Sequence, residues 1–305
     1  MKFFIITIDT EGDNLWGYKD GDHITTQNAK FLSRFQDLCN RFDFIPVWLT
    51  NYEMAESDEY VEFVKKYIPR NLCEIGIHVH AWYNPPHHEL TRKFGGNPYL
   101  IEYPVEIMEK KFLTTLNLIK DRIGVSPKSH RSGRWAMDDR YFKLLEKHGI
   151  IADCSITPYI SWTKSPGATI PGGSDYSKAS PYVHEIGSIV EVPMTIRKMP
   201  IFNNLKTAKQ FIKRVIWGNK VWLRPATNSL QEMIDLVNIV DKDPNCDYLE
   251  FMIHSSELMP GGSPYFKDSK SIEQMYNTIE ALFHYIKGLG YSGISLYDYA
   301  SSKKK

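Results

Sequence analysis

A run of apolar residues long enough to cross a membrane is missing: nothing in the chain approaches the roughly 20 that a spanning helix needs. Cysteine is scarce. Cys39, Cys73, Cys154 and Cys246 are scattered, with no CxxC spacing among them. That excludes a disulfide framework and fits a reduced, intracellular chain with small buried thiols. An excess of either charge is also missing, with 37 Lys and Arg against 36 Asp and Glu. No basic field suited to nucleic acid results. No G-x-G-x-x-G follows the first strand-like run, so a dinucleotide site has no support. The N-terminal apolar run covers only Phe3 to Ile6 before Thr7, is closed by Asp9, and precedes no small-residue cleavage site. It reads as a buried first strand rather than a signal sequence, and a cytoplasmic location is expected. Internal repeats, low-complexity tracts and linkers are absent too. The expectation is one domain over 1–300 and a disordered, solvated tail at 301–305.

Short apolar runs alternate with helical patterns along the whole chain. Strands are predicted over Phe3–Asp9, Ile45–Leu49, Glu74–His80, Pro127–Arg131, Ile150–Asp153, Ile189–Met194, Tyr248–His254 and Gly293–Leu296. Helices are predicted over Ala29–Phe42, after Ser57, and over Val105–Arg122, Asp138–His148, Leu230–Val240 and Ser271–Lys287. This alternation implies the α/β class, with a parallel sheet covered by helices. Eight strand candidates fit a distorted (β/α) barrel of seven or eight parallel strands better than an open doubly wound sheet. Two stretches interrupt the pattern, Tyr83–Pro104 and Thr157–Tyr182, both rich in Pro and Gly. Loops of that length in a compact domain often form lids or binding walls. Aromatics reach 13% of residues, with seven Trp and eighteen Tyr. They fill cores, and they also suit sugar rings.

The triplet His78-Val79-His80 closes the third strand. Side chains at i and i+2 of a strand share a face, about 6.6 Å apart along the chain. Two imidazoles placed so can converge on one metal ion. In a β/α barrel, functional groups sit at the C-terminal ends of strands. The other predicted strands end accordingly. Asp9 is followed by Glu11. His130 and Arg131 are followed by Arg134 and Trp135. Asp153 and His254 end two more. Taken singly, each has an ordinary reading as turn former, core histidine or surface ion-pair partner. Together they come from separate strands that would meet at one barrel mouth.

The runs TIDTEGD (7–13), EIGIHVHAW (74–82), HRSGRW (130–135), ADCSITP (152–158) and FMIHSSELMPGGSP (251–264) carry a resemblance. In order and rough spacing they resemble the five motifs of polysaccharide deacetylases of carbohydrate esterase family 4, the NodB-homology group. The resemblance spans nearly the whole chain. It implies a distorted barrel and a divalent metal, commonly zinc. The implied reaction is hydrolysis of an N-acetyl, less often O-acetyl, group on a sugar or glycan. By motif position, Asp9 is the implied general base, Arg131 its orienting partner and His254 the general acid. Asp153 is expected to hold the other nitrogen of His254.

Two positions depart from the common pattern. Thr10 stands where many members carry a second aspartate, which makes Glu11 the candidate ligand. Trp82 stands where many carry a second histidine, which gives that role to His80 beside His78. The pattern is then that of a His-x-His-x-Trp subgroup. Trp82, Arg134 and Trp135 are candidate substrate-binding residues, with Tyr83 and Trp162 further along the sugar path. Two other readings stay open: a remodelled or inactive barrel that binds glycans, and an amidohydrolase-like metal hydrolase. The last usually carries its histidine pair on the first strand. The expected partner is an acetylated sugar, for which a nucleotide- or lipid-linked form fits a chain without an export signal, and the oligomeric state is left open.

Overall fold

A computed structural model describes residues 1–19, 21–199 and 219–304. Lys305, in the expected tail, lies outside them. Seven parallel strands follow one another around the sheet. In chain order they are β1 (Lys2–Thr10), β2 (Pro46–Thr50), β3 (Glu74–Val79), β4 (Ser129–Ser132), β5 (Ala152–Asp153), β7 (Ile189–Glu191) and β10 (Tyr248–His254). The antiparallel β6 (His184–Ile186) edges β7, and β11 (Tyr291–Gly293) pairs in parallel with the start of β1. A separate ribbon is made by β8 (Ile196–Lys198) and β9 (Lys220–Trp222). The fold is a curled, distorted β/α barrel. Between β7 and β10 an irregular segment replaces strand pairing. There Met194 N donates to Ile156 O at 3.0 Å, Leu223 N to Thr195 O at 3.0 Å, and Met252 N to Leu223 O at 3.2 Å.

The helices are α1 (Leu32–Arg41), α2 (Tyr52–Glu56), α3 (Asp58–Tyr67), α4 (Val105–Ile123), α5 (Asp139–Lys147), α6 (Leu230–Asp241), α7 (Ser269–Gly288) and α8 (Leu296–Lys303). Period-two alternation in β1 divides its side chains between two environments. Phe4, Ile6 and Ile8 face outward into the large apolar layer under α1, α6 and α7. Ile5, on the other face, packs inside the barrel with Val47, Leu49, Ala152, Val190 and Tyr248. Thr7 and Asp9 continue that inner face upward. The interior is thus apolar at its base, polar at mid-height and chemically equipped at its rim.

Two sequence expectations are corrected at the C-terminus. The strand expected over Gly293–Leu296 instead covers Tyr291–Gly293, and Leu296 opens α8. Ser295 caps that helix by accepting from Asp298 N, and Leu296, Tyr299 and Ala300 fall at helical spacing against the barrel base. The tail expected from residue 301 is therefore helical through Lys303, which pairs with Asp247. Burial of one helix face outweighs the polar composition there.

Parallel register sets the functional residues level with one another. Asp9 lies opposite His254 across β1 and β10, and His78 lies opposite Arg131 across β3 and β4. His130 lies opposite Asp153, which lies opposite Glu191.

Candidate metal centre and cleft

His78 and His80 project from the end of β3 into the barrel mouth, both buried, with their Nε2 atoms 3.0 Å apart. Glu11, on the turn after β1, brings Oε2 to 2.6 Å from His80 Nε2 and 3.6 Å from His78 Nε2. Among the described residues this is the one group of three or more such side chains whose donor atoms converge, all within 4.8 Å. The tautomer of His78 follows from its surroundings. Its Nδ1–H donates to Arg131 O at 2.8 Å, which leaves the Nε2 lone pair pointing at Glu11 and His80. The turn carrying Glu11 is pinned from both sides: Glu11 N donates to Ser255 Oγ at 3.0 Å, and Asn28 Nδ2 donates to Glu11 O at 2.7 Å. Gly12 must remain glycine, because a Cβ there would lie 2.4 Å from Ile24 and 2.9 Å from Thr25 O.

The charges suit a cation. Burial alone would raise the Glu11 carboxyl, yet His80 and His78 draw it well below the ordinary range, so it is ionised. Burial lowers His80 despite Glu11. Burial would also lower His78, but Asp9 and Glu11 outweigh it and raise the ring. One carboxylate and two imidazole nitrogens fit a zinc-like divalent ion and leave coordination positions for other groups.

Asp9 sits beside this trio on a buried ionic layer. Its Oδ1 accepts from Arg131 Nη1 at 2.6 Å, and its Oδ2 lies 3.7 Å from His254 Nε2. Burial works against ionisation of Asp9, but Arg131, His78 and His254 lower its pKa. Arg131 also donates to Glu250 Oε1 at 2.5 Å and to Thr7 Oγ1 at 2.7 Å. Burial pushes Glu250 up to about 7, with Arg131 opposing. A folded-state value above the ordinary 4.5 means the folded protein binds this proton more tightly than the unfolded chain. The resulting stability is complete at low pH and is lost as pH rises through about 7. Gln cannot titrate. The stability of wild type relative to Glu250→Gln is therefore expected to fall between pH 5 and pH 8, by at most about 3 kcal/mol. Urea denaturation across that range measures it, and a flat difference would contradict the assignment.

The structure corrects the expected role of Asp153. Its Oδ1 accepts from His130 Nδ1 at 2.6 Å and from Ser155 Oγ at 2.8 Å, and it does not reach His254. Burial and the Asp153 charge push Glu191, on the other side, well up. His254 is held by different groups. Its Nδ1 lies 3.6 Å from Glu257 Oε2 and 3.5 Å from Arg224 Nη2, and Arg224 pairs with Glu257 at 3.0 Å. Glu257 stands one 3₁₀ turn beyond His254, and its carboxylate also accepts from His254 N at 3.0 Å. The i, i+3 spacing was visible in His-Ser-Ser-Glu. Nothing in the sequence around Arg224 pointed to the site.

A cleft of about 390 Å³ opens over these groups. Trp82 meets His80 edge-on at 4.4 Å and forms one wall. Trp135 stacks on Trp162 at 6.5 Å, and both line the cleft. Tyr83 instead packs edge-on against Tyr52 at 6.1 Å and does not line it. Arg134 touches the cleft, but its guanidinium ties two loops together: it donates to Asn97 O and, at 2.9 Å, to Pro166 O. Trp16, which sequence reasoning missed, lies edge-on to His254 at 4.9 Å and donates to Ser256 Oγ at 3.0 Å. Thr10 turns its hydroxyl to Ile8 O at 3.0 Å, away from the ligand role.

Comparison with solved structures places this architecture. A 4-alpha-glucanotransferase from Thermococcus litoralis matches 100% of this chain and 41% of its own, at 15% identity and a TM-score of 0.57. That likeness shows the fold. This chain therefore spans about two fifths of that enzyme. A Mycobacterium smegmatis protein assigned as a polysaccharide deacetylase aligns over 96% of this chain and 93% of its own, at 13% identity and a TM-score of 0.49. A family 4 acetyl xylan esterase from Clostridium thermocellum, solved with a cobalt ion, aligns over 99% and 92%, at 11% identity and a TM-score of 0.47. No protein-family model matches the sequence, and no curated protein does.

Proposed function

We propose that this protein is a metal-dependent carbohydrate deacetylase of the carbohydrate esterase family 4 type, removing an N-acetyl or O-acetyl group from a sugar or glycan. One observation carries the reading: an ionised Asp9, the Glu11, His78 and His80 trio, and His254 converge from separate strands on one aromatic-walled cleft. Glu11, His78 and His80 would hold the metal, for which zinc is the best match to the donor set. When bound, such an ion supplies Lewis acidity to an acyl carbonyl and acidity to water. Asp9, kept ionised by Arg131, accepts the proton of the attacking water. His254, on the opposite side of the carboxylates and oriented by Glu257 and Arg224, donates to the leaving amine or alcohol. Trp82, Trp135 and Trp162 offer flat apolar faces to the sugar ring.

The test is acetate release from acetylated amino sugars and acetylated xylo-oligosaccharides, after chelation and again after zinc is restored. Activity that is lost and then regained supports the proposal, whereas no release with any divalent ion would refute it. Metal retention tests the ligand set separately. His80→Ala and Glu11→Gln are each expected to leave dialysed protein without stoichiometric zinc, by elemental analysis.

A further inference from the structure

Trp82 also forms a wall of a second pocket, of about 380 Å³, so one indole separates it from the metal cleft. Among the described residues its lining carries Lys111, His87 and His88 beside Arg92, with Glu89 as the acid. Lys111 rises from α4 and is 1% exposed. Its ammonium donates to Asn84 O at 2.5 Å and lies 4.9 Å from the Tyr103 ring. Among the described residues no carboxylate forms an ion pair with it, and burial alone lowers its pKa to about 8. A buried ammonium satisfied only by a carbonyl and a ring face keeps unused donors and an uncompensated charge. His87 and His88, on the exposed loop opposite, add ring N–H donors around the same space.

We propose that this pocket binds a phosphate or diphosphate group carried by the substrate, while the acetylated sugar crosses Trp82 to the metal centre. The second half of this statement rests on the deacetylase reading, whereas the anion site does not. Phosphoryl oxygens suit the pocket because they are multiply charged and accept from several directions, and a lysine serves them as a compact point charge. The sugar then takes Trp82 as its platform, with its anomeric phosphate on one side and its acetyl group on the other. The chemistry is shared by nucleoside-diphosphate sugars and polyprenyl-diphosphate sugars.

Binding is measured first, by calorimetric titration of the full-length protein with inorganic pyrophosphate, inorganic phosphate and glucuronate. Zinc-loaded and chelated protein are both used, so that anion binding to the metal is separated out. Saturable pyrophosphate binding to the chelated form is expected. It should weaken by about tenfold or more in Lys111→Met and in the double variant His87→Gln/His88→Gln. The double variant changes exposed loop residues, so it decides the matter if Lys111→Met fails to fold. Absent binding, binding that the double variant keeps, or glucuronate binding as tight as pyrophosphate overturns the proposal. Next, kcat/KM is compared for one N-acetyl amino sugar as its nucleoside diphosphate, its polyprenyl diphosphate in detergent micelles, and its methyl glycoside. The preferred diphosphate identifies the source, and its advantage over the methyl glycoside should shrink about tenfold or more in the pocket variants. Turnover without any such preference overturns the substrate assignment. Pyrophosphate binding without turnover of any of the three refutes the deacetylase reading and leaves the anion site standing.

Discussion

Asp9→Asn is expected to lower acetate release by about 10²–10⁴-fold while leaving zinc content and fold in place. Asn keeps the shape of the side chain and can still accept from Arg131 Nη1, 2.6 Å from the native Oδ1. It cannot take a proton from water. Arg131 does not become an orphan, because Glu250 remains against it at 2.5 Å. The proposed ligand trio is untouched, since Glu11, His78 and His80 meet one another without Asp9. A single-turnover assay at saturating substrate, with metal content measured alongside, isolates the proton-transfer role. A variant with a wild-type rate would move the base elsewhere. Thr10→Ala is the control, and it should change little, because that hydroxyl is spent on Ile8 O.

Arg131→Met is expected to be among the most destabilising single changes in the molecule, at about 3–5 kcal/mol. The guanidinium is fully buried and joins Asp9, Glu250, Thr7 and the Cys154 carbonyl. Methionine can fill much of the volume but neutralises neither acid. Breaking a buried pair by removing one partner leaves the desolvated charge behind, and that accounts for the cost. The pH dependence gives the prediction its sharper form. Burial already holds Glu250 at about 7 with the cation present, so without it the carboxyl rises further. Asp9 likewise loses the strongest of the influences that lower its pKa. Both acids then have higher folded values than in wild type, so the variant loses more stability than wild type as pH rises through them. The deficit relative to wild type should therefore be largest at alkaline pH and shrink toward pH 5, as urea denaturation would show. A deficit independent of pH would mean that lost packing, not unpaired charge, is the cause.

Part of the site was legible because its geometry is local or repeats along strands. His78 and His80 share a face through the two-residue period of β3, and Glu11 follows Asp9 by the same interval. The ends of β1, β3 and β10 were readable from apolar runs closed by polar groups. The register that aligns Asp9 with His254, and His78 with Arg131, then followed from parallel pairing. The helices α4, α5, α6 and α7 were readable from apolar periodicity, because each buries one face.

What the sequence by itself determined, then, was the alternating β/α plan, the strand ends that bear chemistry, and the pairing of a carboxylate with two histidines. The tertiary structure alone decided who partners whom across the barrel. Asp153 took His130 on the neighbouring strand, while His254 took Glu257 one turn ahead and Arg224 from the segment that fills the gap beside β10. Arg134 became a tie between loops, and Lys111 met His87 and His88 around a second pocket. The physical reason is that spacing along a strand fixes direction and height, whereas contacts between distant segments depend on barrel curvature and irregular closure. Neither of those has a period that a linear chain displays.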